Sequence, residues 1–89
     1  MNIYRLDPVD PEHPSWSNST ENETVWACAL TARDARDLVA KKTASGVQGV
    51  TGSQSPWLDE AITSCVWEPS MTHIRPETVV RADGSAVGG

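Results

Sequence analysis

Two cysteines and two histidines are the side chains here with the widest chemical reach, and their spacing decides how much of it is usable. Cys28 and Cys65 lie inside apolar runs, Val25-Trp26-Ala27-Cys28-Ala29-Leu30 and Ile62-Thr63-Ser64-Cys65-Val66-Trp67. A thiol nucleophile needs an accessible, electropositive pocket that holds it as thiolate. In a strand a reduced cysteine behaves instead as a small hydrophobe, and a disulfide requires adjacent, correctly aimed strands. His13 and His73 are isolated, each near a proline, with no i,i+4 or Cys-x-x-Cys neighbour, so no metal site is expected. No carboxylate pair has surroundings that would raise one pKa, and no glycine-rich loop runs from a strand into a helix to cradle phosphate. The expectation is a protein that is not an enzyme and uses no catalytic residue, metal or cofactor.

The elements that position these residues are few. At 89 residues the chain makes one domain, and its 38% hydrophobic content supports a single modest core. Asn2-Ile3-Tyr4-Arg5-Leu6-Asp7 reads as a first strand ended by Pro8. Residues 8 to 23, with prolines at 8, 11 and 14, read as an extended connection without secondary structure of its own. A second strand over about 24 to 30 carries apolar residues on both faces, as an interior strand does. Thr31 is a good N-cap, with Asp34 three positions on, for a helix that starts at Ala32 and runs to Lys41 and Lys42. Ala32, Ala35 and Val39 share one face of it, with Leu38 at the edge, and Arg33, Asp34, Asp37 and Lys41 lie opposite.

Gly46 is the expected helix stop, Ser55-Pro56 opens a short helical turn through Ala61, and residues 62 to 68 form a third strand that Pro69 ends. Glu77-Thr78-Val79-Val80-Arg81 reads as a fourth, edge strand, and Asp83-Gly84 leads into a flexible tail. The order β-β-α-β-β implies an α+β domain over 1 to 82. Its small antiparallel or mixed sheet of three to four strands has one face covered by the single helix, and 83 to 89 follow as tail.

Charge narrows the partners. The net charge is −5, which opposes direct binding of nucleic acid or an anionic membrane. With no membrane span and no secretory leader, the chain is expected in the cytoplasm, and Asn18-Ser19-Thr20 and Asn22-Glu23-Thr24 then carry no glycosylation meaning. Between residues 6 and 32 stand Asp7, Asp10, Glu12, Glu21 and Glu23 without a lysine or arginine. That segment reads either as a binding arm for a basic protein groove, anchored by Trp16, or as a solvated loop with Trp16 on its own core. Of the four tryptophans, Trp26 and Trp67 alternate with small residues in strands and are expected in the core. Trp16 and Trp57, in a loop and at a turn, are the candidates for a binding surface. A third reading, nucleic-acid binding, requires Arg33, Arg36, Lys41 and Lys42 to form a patch that overcomes the net charge.

Met1-Asn2-Ile3-Tyr4-Arg5-Leu6-Asp7-Pro8, a polar loop, and a strand entering a helix with Ala32, Ala35 and Ala40 together resemble the small phage-encoded type I anti-CRISPR proteins over roughly the first 45 residues. The resemblance implies a stoichiometric inhibitor that binds a CRISPR surveillance complex without chemistry. Ser55-Pro56-Trp57 and Thr63-Ser64-Cys65 also resemble short uncharacterised bacterial proteins, which implies no activity. Gly88-Gly89 and the element order are similar to ubiquitin-like modifiers and sulphur carriers, whose terminal carboxylate is activated, and this stands as the alternative.

Overall fold

The computed structural model describes residues 1–43, 55–71 and 74–87. Strand β1 (Asn2–Pro8) pairs antiparallel with β2 (Val25–Ala29) on one side and with β3 (Thr63–Trp67) on the other, and β4 (Val79–Arg81) pairs antiparallel with β2. The sheet is four-stranded, wholly antiparallel, in the order β3-β1-β2-β4. Helix α1 (Ala32–Lys42) lies on one face, giving the α+β class that the element order implies. No helix among the described residues is long and apolar enough to cross a membrane.

Local chemistry accounts for α1. The Thr31 hydroxyl accepts the Asp34 N–H (3.1 Å), the first helical bond runs from Ala35 N–H to the Thr31 carbonyl (2.9 Å), and Asp34 and the Lys41-Lys42 pair sit at the ends that suit the helix dipole. The end comes earlier than Gly46, which lies outside the described residues. Thr43 closes the helix by returning its N–H and hydroxyl to the Val39 carbonyl, while its own carbonyl accepts the Thr20 N–H (2.7 Å). A contact from the first connection therefore sets the boundary.

Pleating sorts the strand residues. Leu6, Val25, Ala27, Ala29 and Val79 face Ala35 and Val39 of α1 in the main core, which Trp16, Trp57 and Val87 complete. The alanines let the helix approach closely. On the other face Ile3, Cys28 and Ile74 form a smaller cluster flanked by Trp26, Met71 and Val80. Cys28 and Cys65 are free, fall in different clusters, and lie on strands separated by β1.

Several expectations change in three dimensions. The connection over 8 to 23 is not featureless: Pro14–Asn18 makes a 3-10 turn, which His13 opens by accepting the Ser15 N–H at Nδ1 (3.1 Å). The turn after Ser55 covers only Pro56–Leu58, its N–H and carbonyl needs met locally by Ser55 and Asp59. Residues 83 to 87 do not leave as a tail. Gly84, at φ 87°, turns the chain back, Ala86 bridges to Val80, and Val87 donates to the Val79 carbonyl (2.8 Å) and is 2% exposed.

Candidate functional site

Strand polarity assembles the site. The registers Leu6 with Val25, Pro8 with Thr63 and Val25 with Arg81 put the end of β1, the starts of β2 and β3 and the end of β4 at one end of the sheet. The connection over 9 to 24, the turn over 59 to 62 and the turn after Arg81 therefore emerge together. Val9 and Asp10 N–H groups both reach the Ile62 carbonyl (2.7 and 3.3 Å), which ties the first connection to the Asp59-Glu60 turn. Asp7, Asp10, Glu12, Glu21 and Glu23 are joined at this end by Asp59, Glu60 and Asp83, three carboxylates that sequence reading did not place with them.

Two of the eight are already in ion pairs. Asp7 receives Arg5 Nε (2.9 Å) and the Thr24 hydroxyl (2.6 Å), and Glu21 receives Arg81 Nε (2.6 Å). Asp83 is held below the usual carboxylate range chiefly by the Ser85 hydroxyl and N–H that it accepts. Asp10, Glu12, Glu23 and Glu60 are exposed, and no ion pair reaches them among the described residues. They form the part of the acidic end that still has its charge to offer.

The tryptophans are inverted relative to expectation. Trp57 is 0% and Trp16 8% exposed, and their rings meet edge to face at 5.0 Å and 89°. Trp16 Nε1 donates to the Asp10 carbonyl (2.7 Å) and Trp57 Nε1 to the Ser19 hydroxyl (2.9 Å). Neither is a surface anchor: the first connection is wrapped around them, and both of its polar ring atoms are used in holding it. Trp67, a core candidate by its alternation with small residues, is 59% exposed, because it closes an outermost strand. Trp26 is partly buried on the second face, with a buried Nε1 that has no hydrogen-bond partner.

One residue of the site scaffold carried no obvious signal. Arg36 is 8% exposed and donates through one terminal nitrogen to the Trp57 carbonyl (3.0 Å) and the Thr63 hydroxyl (2.8 Å), and through the other to the Thr63 carbonyl (3.0 Å). It clamps α1 to the Trp57 turn and the start of β3. At 100° per residue Arg36 falls between Ala32 and Ala40, about 40° from Ala32 at the border of the helix's inward stripe, which is the signal that could have found it. With Arg36 buried and Arg33 paired to Asp37 (3.4 Å), the basic patch that nucleic-acid binding requires is reduced to Lys41 and Lys42.

The thiols have the wrong surroundings for nucleophiles. Burial pushes the Cys65 thiol up, although nearby Arg36 pulls the other way, and its Sγ points at the Ala32 carbonyl (3.7 Å). Cys28 is buried in the second cluster. His13 Nδ1 is occupied with Ser15, and His73 lies outside the described residues. No group of three metal-ligating side chains occurs among the described residues. Gly88 and Gly89 also lie outside them, directly after the buried Val87. Comparisons with family models, with curated proteins and with solved structures return no match for this chain.

Proposed function

We propose that this chain is a small non-enzymatic protein-binding module whose acidic sheet end docks on a positively charged protein surface. The observation that carries the reading is the convergence of carboxylates from three separate connections on one end of the sheet, with Asp10, Glu12, Glu23 and Glu60 in no ion pair among the described residues. Charge arranged in this way steers association and selects basic partners. The Trp16-Trp57 pair supports the reading differently from a surface anchor, by ordering the connection in advance and so lowering the entropy lost on binding. The partner of choice is a protein surface that otherwise holds nucleic acid, and the N-terminal resemblance points to a CRISPR surveillance complex.

The test uses Asp10→Lys with Glu12→Lys, because Asp7 and Glu21 have internal partners whose loss would confuse folding with binding. Affinity for a purified surveillance complex should fall about tenfold or more, chiefly through the association rate, and parent binding should weaken as salt rises. Absent binding, or binding indifferent to both salt and charge reversal, sinks the proposal.

A further inference from the structure

The two edges of the sheet are treated differently. The β4 edge is covered by the chain's own turn, through the Val80 to Ala86 bridge and the hydrogen bonds Arg81 N–H to Ser85 carbonyl (2.9 Å) and Val87 N–H to Val79 carbonyl (2.8 Å). Strand β3 is outermost on the other side, and between Thr63 and Trp67 it has no lysine, proline or other charge of the kind that blunts exposed edges. Val66 and Trp67, 50% and 59% exposed, present apolar surface on opposite faces of that edge.

Which backbone groups remain available follows from the ladder. Glu68 N–H donates to the Ile3 carbonyl and Val9 N–H to the Ile62 carbonyl, both at 2.7 Å, so Ser64 and Val66 direct their N–H and C=O groups at β1. Thr63, Cys65 and Trp67 turn theirs outward. Thr63 is already committed, with its N–H on the Asp59 carbonyl (3.0 Å) and its carbonyl receiving Arg36 (3.0 Å), and Pro69 has no N–H. Among the described residues the free edge is therefore two residues, Cys65 and Trp67.

We infer that β3 pairs antiparallel with β3 of a second copy of this chain, with Cys65 opposite Trp67 of the other copy and Val66 on the two-fold axis. This register completes four hydrogen bonds and makes one eight-stranded sheet. Pairing Cys65 with its own counterpart sets Trp67 against the committed Thr63, and pairing Trp67 with its counterpart sets Cys65 against Pro69, so either slip breaks the ladder. The two-fold operation packs each Trp67 over the partner's Cys65 position and brings the two Val66 side chains together. It also reverses strand direction. The acidic ends, one per copy of a chain with net charge −5, then lie at opposite ends of the joined sheet and do not repel across the interface.

Sedimentation of the full chain from about 10 μM to about 1 mM should show the mass rising from 9.6 kDa toward twice that value. Val66→Lys places like charges face to face on the axis and should hold the protein monomeric over the same range with an unchanged circular dichroism spectrum. The non-hydrogen-bonded pair at the axis brings Cα atoms to about 4.5 Å, within disulfide reach, so V66C should cross-link through the two introduced thiols under mild oxidation. S64C lies on the same face but opposite Glu68 of the second copy, and should not. A monomer at about 1 mM, a dimer indifferent to Val66→Lys, or S64C cross-linking as readily as V66C overturns the inference. So does a monomer whose Cys65 and Trp67 amide signals shift only when an extended peptide of another sequence is added, which would assign the edge to a different chain.

Discussion

Replacing Arg36 by alanine removes three hydrogen bonds from a charged donor at a position where water has little access. The Thr63 hydroxyl has one proton and gives it to the Asp59 carbonyl (2.8 Å) in preference to the Trp57 carbonyl (3.4 Å), so the Trp57 and Thr63 carbonyls lose their strong donors. Each buried acceptor left unmet costs about 1–3 kcal/mol, offset in part because a cation is no longer desolvated, so a net loss of about 3 kcal/mol is expected. For a domain of this length, where total stability is roughly 5–10 kcal/mol, that is about 30 to 60% of the whole. With a urea m-value of about 1–1.5 kcal/mol/M the midpoint should fall by about 2–3 M, read by circular dichroism. Arg36→Met fills most of the volume while still stranding both carbonyls, and separates the hydrogen bonds from the packing. In a cycle with Thr63→Val, the two substitutions should be coupled by about 1 kcal/mol. A loss under about 1 kcal/mol for Arg36→Ala, together with additivity in the cycle, would refute the clamp, because the carbonyls would then be finding water.

Two further measurements follow from burial. In dilute solution Trp67 should dominate the emission that acrylamide quenches; Trp67→Ser should change stability by less than about 0.5 kcal/mol, and Trp57→Phe should cost about 2 kcal/mol through lost ring volume and the lost bond to Ser19. Equal quenching of Trp16 and Trp57 would contradict the inverted arrangement. Because burial raises the Cys65 pKa above its ordinary 9.0, the thiol form favours the fold below that value and this contribution is lost as pH rises through the higher folded value. Alkylation of Cys65 should accordingly run at least about threefold slower than that of a free thiol near pH 8, and Cys65→Ser should flatten the fall in stability above pH 9.0. A Cys65 as reactive as free cysteine would show that the site is more open than its surroundings suggest.

Local signals were legible where the responsible residues are neighbours in sequence. Thr31 with Asp34 set the start of α1, Ser55 with Pro56 set the second 3-10 turn, and the alternation over Val25–Ala29 revealed an interior strand with two apolar faces. For the tryptophans, strand membership does not imply burial, nor loop membership exposure. Trp67 is in a strand, but at its end and on an outermost edge. Trp57 is in a turn, but one pressed against α1 and the first connection. For the candidate site, five of the acidic residues formed a visible run in the sequence. Their company of Asp59, Glu60 and Asp83 did not, since it depends on strand polarity.

By itself the sequence determined the class of domain, the helix and its cap, the approximate strands and the negative charge, because each rests on composition or on periodicity within a few residues. Only the tertiary structure decided that Glu21 is answered by Arg81 across 60 positions, that Arg36 faces inward, and that, among the described residues, one sheet edge is covered while the other is left open. These depend on which strands lie side by side. Strand order is chosen by the burial of whole faces rather than by any local pattern, so a single chain's periodicity does not contain it.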